Sequence, residues 1–238
     1  MALVIGFDVY GTLVDPWSIS RHLSPLVGEQ NARQVAELWR SKQIEYAFRR
    51  GLMETYADFD TCTRHALLHK PATAGVSSTP DQVDELLTAY LRLPAYDDVA
   101  GGLTAFRAQN ARVLAFSNGT AASVRELLGI AALLGLFDDV VSVDEIGTFK
   151  PDPAVYRHLV ARGGAQATDT WVVSANAWDV IGAKSAGLRA IWIKRGDAAF
   201  DPWGIEPDFV AESLLDAASM LHTKISMEPL APSEPLSS

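Results

Sequence analysis

Cysteine is almost absent: Cys62 is the only one in the chain. That excludes an internal disulfide and a multi-cysteine metal site, and it fits a cytoplasmic setting. No apolar run reaches the length that spans a bilayer. The N-terminus has no basic stretch ahead of its short apolar run, so no signal peptide is expected. Basic residues are outnumbered, 20 Lys and Arg against 29 Asp and Glu, for a net charge of −9. Such a balance argues against general binding of nucleic acid or of an anionic membrane. It also requires that an anionic substrate be attracted by particular Arg or Lys residues against the global field. A Gly-x-Ser-x-Gly elbow is missing too, which counts against a serine esterase.

What is present is globular. The 238 residues, 48% hydrophobic and 21% charged, suit one large domain or a domain with an insertion. Five apolar, β-rich runs recur: Leu3–Phe7, Val113–Phe116, Val140–Val143, Thr170–Val173 and Ala190–Ile193. A sixth, Asp208–Ala211, is short and weak. Each is followed by small or polar residues and a helical pattern, which predicts an α/β fold with a parallel sheet covered on both faces. Between Pro16 and Pro94 the rhythm breaks. Asn31–Leu52, Asp58–His69 and Thr79–Leu93 read as helices, with Pro80 just inside a start. The expected organisation is a core of residues 1–15 and 95–222, a helical insertion over 16–94 with a loop at Pro71–Ser78, and a Pro- and Ser-rich tail without fixed structure over 223–238. Gly101-Gly102 and Gly163-Gly164 read as turns.

Four strand ends carry candidate chemistry. The first apolar run drives into Asp8, followed by Tyr10, Gly11 and Thr12. The second ends in Ser117-Asn118-Gly119-Thr120. After the third come Lys150-Pro151-Asp152-Pro153 and Tyr156. The fourth ends in Ser174-Ala175-Asn176-Ala177-Trp178-Asp179. In a parallel sheet all carboxyl ends lie on one edge, so these groups can converge. Taken singly, each has a plainer account. Ser117 and Ser174 start turns or cap helices; Asp179 faces a helix dipole. Lys150 is a loop lysine of small consequence for folding, since surface charges are worth ~0–1 kcal/mol.

In order and spacing these segments resemble the haloacid dehalogenase-like superfamily, over about Leu3 to Leu221, and within it the L-2-haloacid dehalogenase branch. The resemblance implies a Rossmann-like core of strand order 3-2-1-4-5 with a helical cap after strand 1. It also implies a homodimer and no metal or other cofactor. Phosphatases of the superfamily carry an acidic residue where this chain has Tyr10, and a metal-holding acid where it has Ser174. A phenol of ordinary pKa, about 10, is no general acid at neutral pH. Asp8 and Asp179 still supply the one or two carboxylates a magnesium ion takes, so spacing alone leaves a metal open.

The roles the resemblance implies are these. Asp8 attacks the carbon bearing the halogen, and Lys150 offsets the repulsion between the two anions. Ser117 binds the substrate carboxylate, and Asn118 with Arg40 cradles the halide. Ser174, Asn176 and Asp179 orient the hydrolytic water or Lys150, while Thr12 and Tyr156 support with hydroxyls. Ile44, Phe59 and Trp178 bound the alkyl group, with Tyr10 beside them. By spacing alone Arg40 is an exposed helix arginine, and Ile44 and Phe59 are ordinary core. The expected reaction is hydrolysis of a small 2-haloacid by water, without nucleic acid or membrane partners. A phosphatase of the same superfamily and a non-catalytic binding protein are the alternatives.

Overall fold

The computed structural model describes residues 3–69 and 79–227. The loop expected at Pro71–Ser78 lies outside them. Six strands form one sheet among the described residues: β1 (Val4–Phe7), β2 (Arg112–Ser117), β3 (Asp139–Ser142), β4 (Thr170–Ser174), β5 (Arg189–Ile193) and β6 (Phe209–Ala211). All pairs are parallel and the order is β3-β2-β1-β4-β5-β6. The expected order holds, and the weak sixth run extends it as the edge strand. β1 is buried at every position because helices cover both faces, which is why it reads as an unbroken apolar run. It is also the central strand, flanked by β2 and β4, so the order reverses there. The crevice at such a reversal, outside the carboxyl ends, is where open α/β sheets bind ligands.

Between β1 and β2 lie α1 (Ser20–Val27), α2 (Glu29–Leu52), α3 (Phe59–Leu68), α4 (Pro80–Tyr90) and α5 (Val99–Arg107). α2 buries Ala32, Ala36, Trp39, Gln43 and Ala47, a stripe at helical spacing facing its neighbours. α3 is capped by Asp58, whose side chain accepts the Thr61 N–H. α4 begins with a capping box, Thr79 and Gln82, and Pro80 follows at the first position as expected. α1 escapes the sequence pattern: Pro25 sits inside it and few of its residues are apolar. The remaining helices are α6 (Ala121–Ile130), α7 (Pro153–Gly163), α8 (Ala177–Ser185) and α9 (Leu214–Met227).

Two expectations fail. Residues 223–227 are not tail: α9 runs through Met227, and the rest of the tail lies outside the described residues. Gly101-Gly102 is not a turn but part of α5. A Cβ on Gly102 would lie 2.2 Å from the Leu214 Cβ and 3.0 Å from its backbone carbon, so the glycine serves close packing of α5 on α9. Gly163-Gly164 does end a helix, with Gly164 left-handed at φ 70°.

Gly102→Ala is therefore expected to destabilise the fold by at least ~1–3 kcal/mol, since backbone must move. Gly129→Ala, in open space on α6, is expected to stabilise it by ~0.4–1 kcal/mol. Urea unfolding of the two variants checks both signs.

Candidate active site

Asp8 follows β1 directly, and its N–H still donates to the Val173 carbonyl (3.0 Å). Beyond it the chain turns back. Gly11 adopts φ 92°, a region that favours glycine, and its N–H donates to Val14 O (2.9 Å). The turn brings Thr12 to the carboxylate: its hydroxyl donates to Asp8 Oδ2 (2.8 Å) and accepts the Ala175 N–H (2.8 Å). Asn176, the residue before α8, donates from Nδ2 to the same Oδ2 (2.8 Å) and to Tyr10 O (3.1 Å). Ser174 Oγ accepts the Asn176 N–H (3.1 Å), so it steadies Asn176 rather than touching Asp8.

Lys150 reaches in from the loop after β3. Its three N–H groups go to Asp8 Oδ1 (3.1 Å), Asp179 Oδ2 (2.9 Å) and Phe116 O (2.9 Å), and Nζ lies 3.9 Å from the centre of the Phe116 ring. Tyr156 shares its hydroxyl proton between Asp179 Oδ1 (2.9 Å) and the Asp179 carbonyl (3.1 Å). Lys150 and Asp179 are wholly buried and Asp8 is 5% exposed. The loop-lysine expectation is thus overturned. An ammonium removed from water costs several kcal/mol unless paired, so Lys150 matters to folding. Two carboxylates converge here, and among the described residues no third His, Cys, Asp or Glu joins them in a metal-holding group.

Burial pushes the Asp179 carboxyl above its usual range, against the opposing pull of Lys150. Burial and the neighbouring Asp179 push the Tyr156 phenol far up, so it remains a donor. The Tyr10 phenol is also raised, first by burial, then by Tyr90 and Asp60. It is a still poorer acid than an ordinary tyrosine.

At the end of β2, Ser117 is buried and its Oγ accepts the Gly119 N–H (3.0 Å). Its hydroxyl proton is not used in any bond to a described residue. Asn118 Oδ1 accepts the Lys150 N–H (3.0 Å), which leaves its amide nitrogen as a spare donor. The backbone N–H groups of Val9, Tyr10 and Asn118 donate to no protein group among the described residues. Unused donors on one edge suit an anion.

Arg40 is not a solvated arginine. It is half-buried on α2, with one N–H on Tyr10 O (3.1 Å), another on Gln43 Oε1 (2.7 Å), and its guanidinium carbon 5.9 Å from the Tyr10 ring centre. Phe59 packs on Tyr10 (5.8 Å) and Phe149 (6.3 Å). Trp178 meets Phe48 edge-on (5.3 Å). Ile44 lies one turn beyond Arg40, half-buried against the core. Sequence reasoning missed Phe48, Phe149, Gln43 and Tyr90. Phe149 precedes Lys150, and Gln43 lies three residues after Arg40 on one helix face; those adjacencies were the available signals.

Replacing Lys150 by Met leaves two buried carboxylates without their cation. A loss of about 3–5 kcal/mol is expected in urea unfolding. In the folded state Asp179 already holds a proton more tightly than when unfolded, so its contribution falls as pH rises through that raised pKa. Removing Lys150 extends this, so the deficit of Lys150→Met should be larger at about pH 8 than at about pH 5.

A family model described as haloacid dehalogenase-like hydrolase matches residues 3–187. The (S)-2-haloacid dehalogenase of Pseudomonas fluorescens is 33% identical, over 90% of this chain and 94% of that protein. Haloacetate dehalogenase H-2 of Moraxella sp. (strain B) is 34% identical, over 86% and 91%. Among solved structures, the L-2-haloacid dehalogenase of Xanthobacter autotrophicus with chloropropionic acid covalently bound aligns with a TM-score of 0.86 at 28% identity, covering 93% of this chain and 99% of that one. In sequence and in fold alike, this chain belongs to the haloacid dehalogenase-like hydrolases.

Proposed function

We propose that the chain hydrolyses short (S)-2-haloacids to 2-hydroxy acids through an ester on Asp8, with inversion and without a metal. The observation that carries this reading is the residue two places after Asp8. A phosphate ester needs a proton for its departing alkoxide, and Tyr10 is a phenol pushed away from that task. A halide leaves without a proton. The carboxylate pair a metal would use is already bridged by the Lys150 ammonium.

The proposed reaction starts with a substrate anion held by the Ser117 hydroxyl and the free backbone N–H groups. An Asp8 oxygen attacks the carbon opposite the halogen; a C–O bond forms and the C–halogen bond breaks with its electron pair. Arg40 and the Asn118 amide receive the halide. Water then adds to the Asp8 carbonyl carbon, the hydroxy acid departs with an oxygen that belonged to Asp8, and one proton is released. Thr12 and Asn176 hold the carboxylate in its attacking orientation, and Asp179 with Tyr156 fixes Lys150. Phe59 and Trp178 bound the alkyl group, with Ile44 on the approach.

We also read residues 16–94 as a cap over a core of 1–15 and 95–222. Three hydrogen bonds between insertion and core support this: Arg40 donates to Tyr10 O, Tyr56 donates to Asp144 (2.7 Å) and Ser123 donates to Asp60 (2.6 Å). A homodimer and a cytoplasmic location complete the reading. No described helix is long and apolar enough to cross a membrane.

Halide release from (S)-2-chloropropionate should persist in EDTA, and the R enantiomer should be a poor substrate, because it directs its halogen away from Arg40. Loss in EDTA with rescue by magnesium would instead indicate the phosphatase reading, and no turnover of either kind a binding protein.

A single turnover in H₂¹⁸O with enzyme in excess should place the heavy oxygen in the Asp8 carboxylate. Mass spectrometry of the peptide carrying Asp8 reads it. Label in the product alone would make Asp8 a general base.

A further inference from the structure

Gln43 has no part in the reaction as derived, yet it is a wholly buried polar side chain three residues from Arg40 on α2. Its Oε1 accepts two bonds, from Arg40 (2.7 Å) and from the Tyr90 hydroxyl (3.0 Å). Its Nε2 donates to Thr63 Oγ1. The Thr63 proton is spent on the Phe59 carbonyl (2.8 Å), so that hydroxyl must accept from Gln43. Burial raises the Tyr90 phenol, so its oxygen keeps the proton it donates. Only one orientation of the amide satisfies this chain; swapped, its NH₂ would face the Arg40 guanidinium, which can only donate. The Trp39 indole N–H ties the Thr63 carbonyl to α2 (2.9 Å), so α2, α3 and α4 all contribute to fixing Gln43.

What this fixed group faces is a cation. The groups beside the Arg40 guanidinium, Gln43 Oε1, Tyr10 O and the Tyr90 hydroxyl, are all neutral, and no carboxylate pairs with it among the described residues. A carboxylate in the place of Gln43 would orient the guanidinium equally well but would cancel its charge. An amide orients without cancelling, and leaves further N–H groups for other acceptors.

We infer that Gln43, locked by Thr63 and Tyr90, is a positioning residue that aims the Arg40 guanidinium at the departing halide while leaving its charge unpaired. The inference rests on the dehalogenase reading.

The test compares Gln43→Met, Gln43→Glu and Tyr90→Phe with the parent in kcat and KM on (S)-2-chloropropionate, in inhibition by added bromide, and in urea unfolding. Gln43→Met should lower kcat on the order of a hundredfold, with a smaller change in KM, and weaken bromide inhibition. Gln43→Glu should weaken bromide inhibition although the length and the hydrogen bond are kept. Tyr90→Phe removes one donor, keeps the ring stacked 5.7 Å from Tyr10, and should move both readouts in the same direction by less. In an Arg40→Ala background Gln43→Met should add nothing further. Lower stability with unchanged kcat and bromide inhibition, in any variant that folds, overturns the inference. So do losses that multiply with Arg40→Ala. A parent that releases no halide defeats the dehalogenase reading and this inference with it. An active parent with indifferent variants defeats the inference alone.

Discussion

Lys150 holds its charge where no water reaches it, and the rest of the site is arranged around that fact. Every N–H of the ammonium has an acceptor: the Asp8 carboxylate after β1, the Asp179 carboxylate in the first turn of α8, and the Phe116 carbonyl near the end of β2. Because the partners come from β1, β2 and α8, they can meet only if the sheet has its observed order, with β1 between β2 and β4. The same ammonium therefore binds the fold together and holds Asp8, the proposed nucleophile. Charge is shared further by Thr12 and Asn176 on Asp8, and by Tyr156 on Asp179. Removing one member leaves a buried charge uncompensated, so the groups act as a unit.

The Tyr10 carbonyl is a second meeting point. It accepts from Asn176 of the core and from Arg40 of the insertion. One backbone oxygen thus sets the distance between the residue that steadies the Asp8 carboxylate and the residue proposed to receive the leaving group. Gly11, by turning the chain directly afterwards, keeps that carbonyl beside the carboxylate. The spacing Asp8-x-Tyr10-Gly11-Thr12 is the chemical consequence of fitting a strand end, an acceptor and a supporting hydroxyl into one turn.

β1 to β5 were legible to within a residue or two because they are largely buried parallel strands, and burial on both faces demands an unbroken apolar run; β6, an edge strand with Val210 exposed, gave only a weak run. The three longer insertion helices were legible by caps and periodicity. α1 was not, since Pro25 and scattered polar residues obscure its one buried side, Leu23. Gly101-Gly102 misled because glycine marks turns more often than close helix contacts, and only the position of Leu214 reveals the contact. In the site, residue types at strand ends could be read, but burial could not. Lys150 before Pro151 looks in sequence like any loop lysine; its partners lie 142 and 29 residues away. Gln43 was missed for a related reason: a glutamine on a charged helix face reads as solvated, and although Arg40 lies three residues before it, Thr63 and Tyr90 come from α3 and α4, which sequence spacing does not connect to it.

The chain as a whole repels anions, and the Lys150 cluster does not correct this. One ammonium between two carboxylates leaves no surplus positive charge for a substrate. Attraction has to come from groups whose charge or dipole is unspent. Near Asp8 those are the Arg40 guanidinium, the Ser117 hydroxyl, the Asn118 amide and the unused backbone N–H groups at the ends of β1 and β2. All but Arg40 are neutral donors, which bind an anion without adding charge that would also hold the product. A single guanidinium without a carboxylate partner, delivered from the insertion, then supplies the one full charge at the point where the proposed reaction makes a new anion. Placed permanently against a carboxylate it would serve stability and little else. Held by carbonyls, it stays responsive to what forms in front of it, which is what a site needs when charge moves from Asp8 to a departing halide.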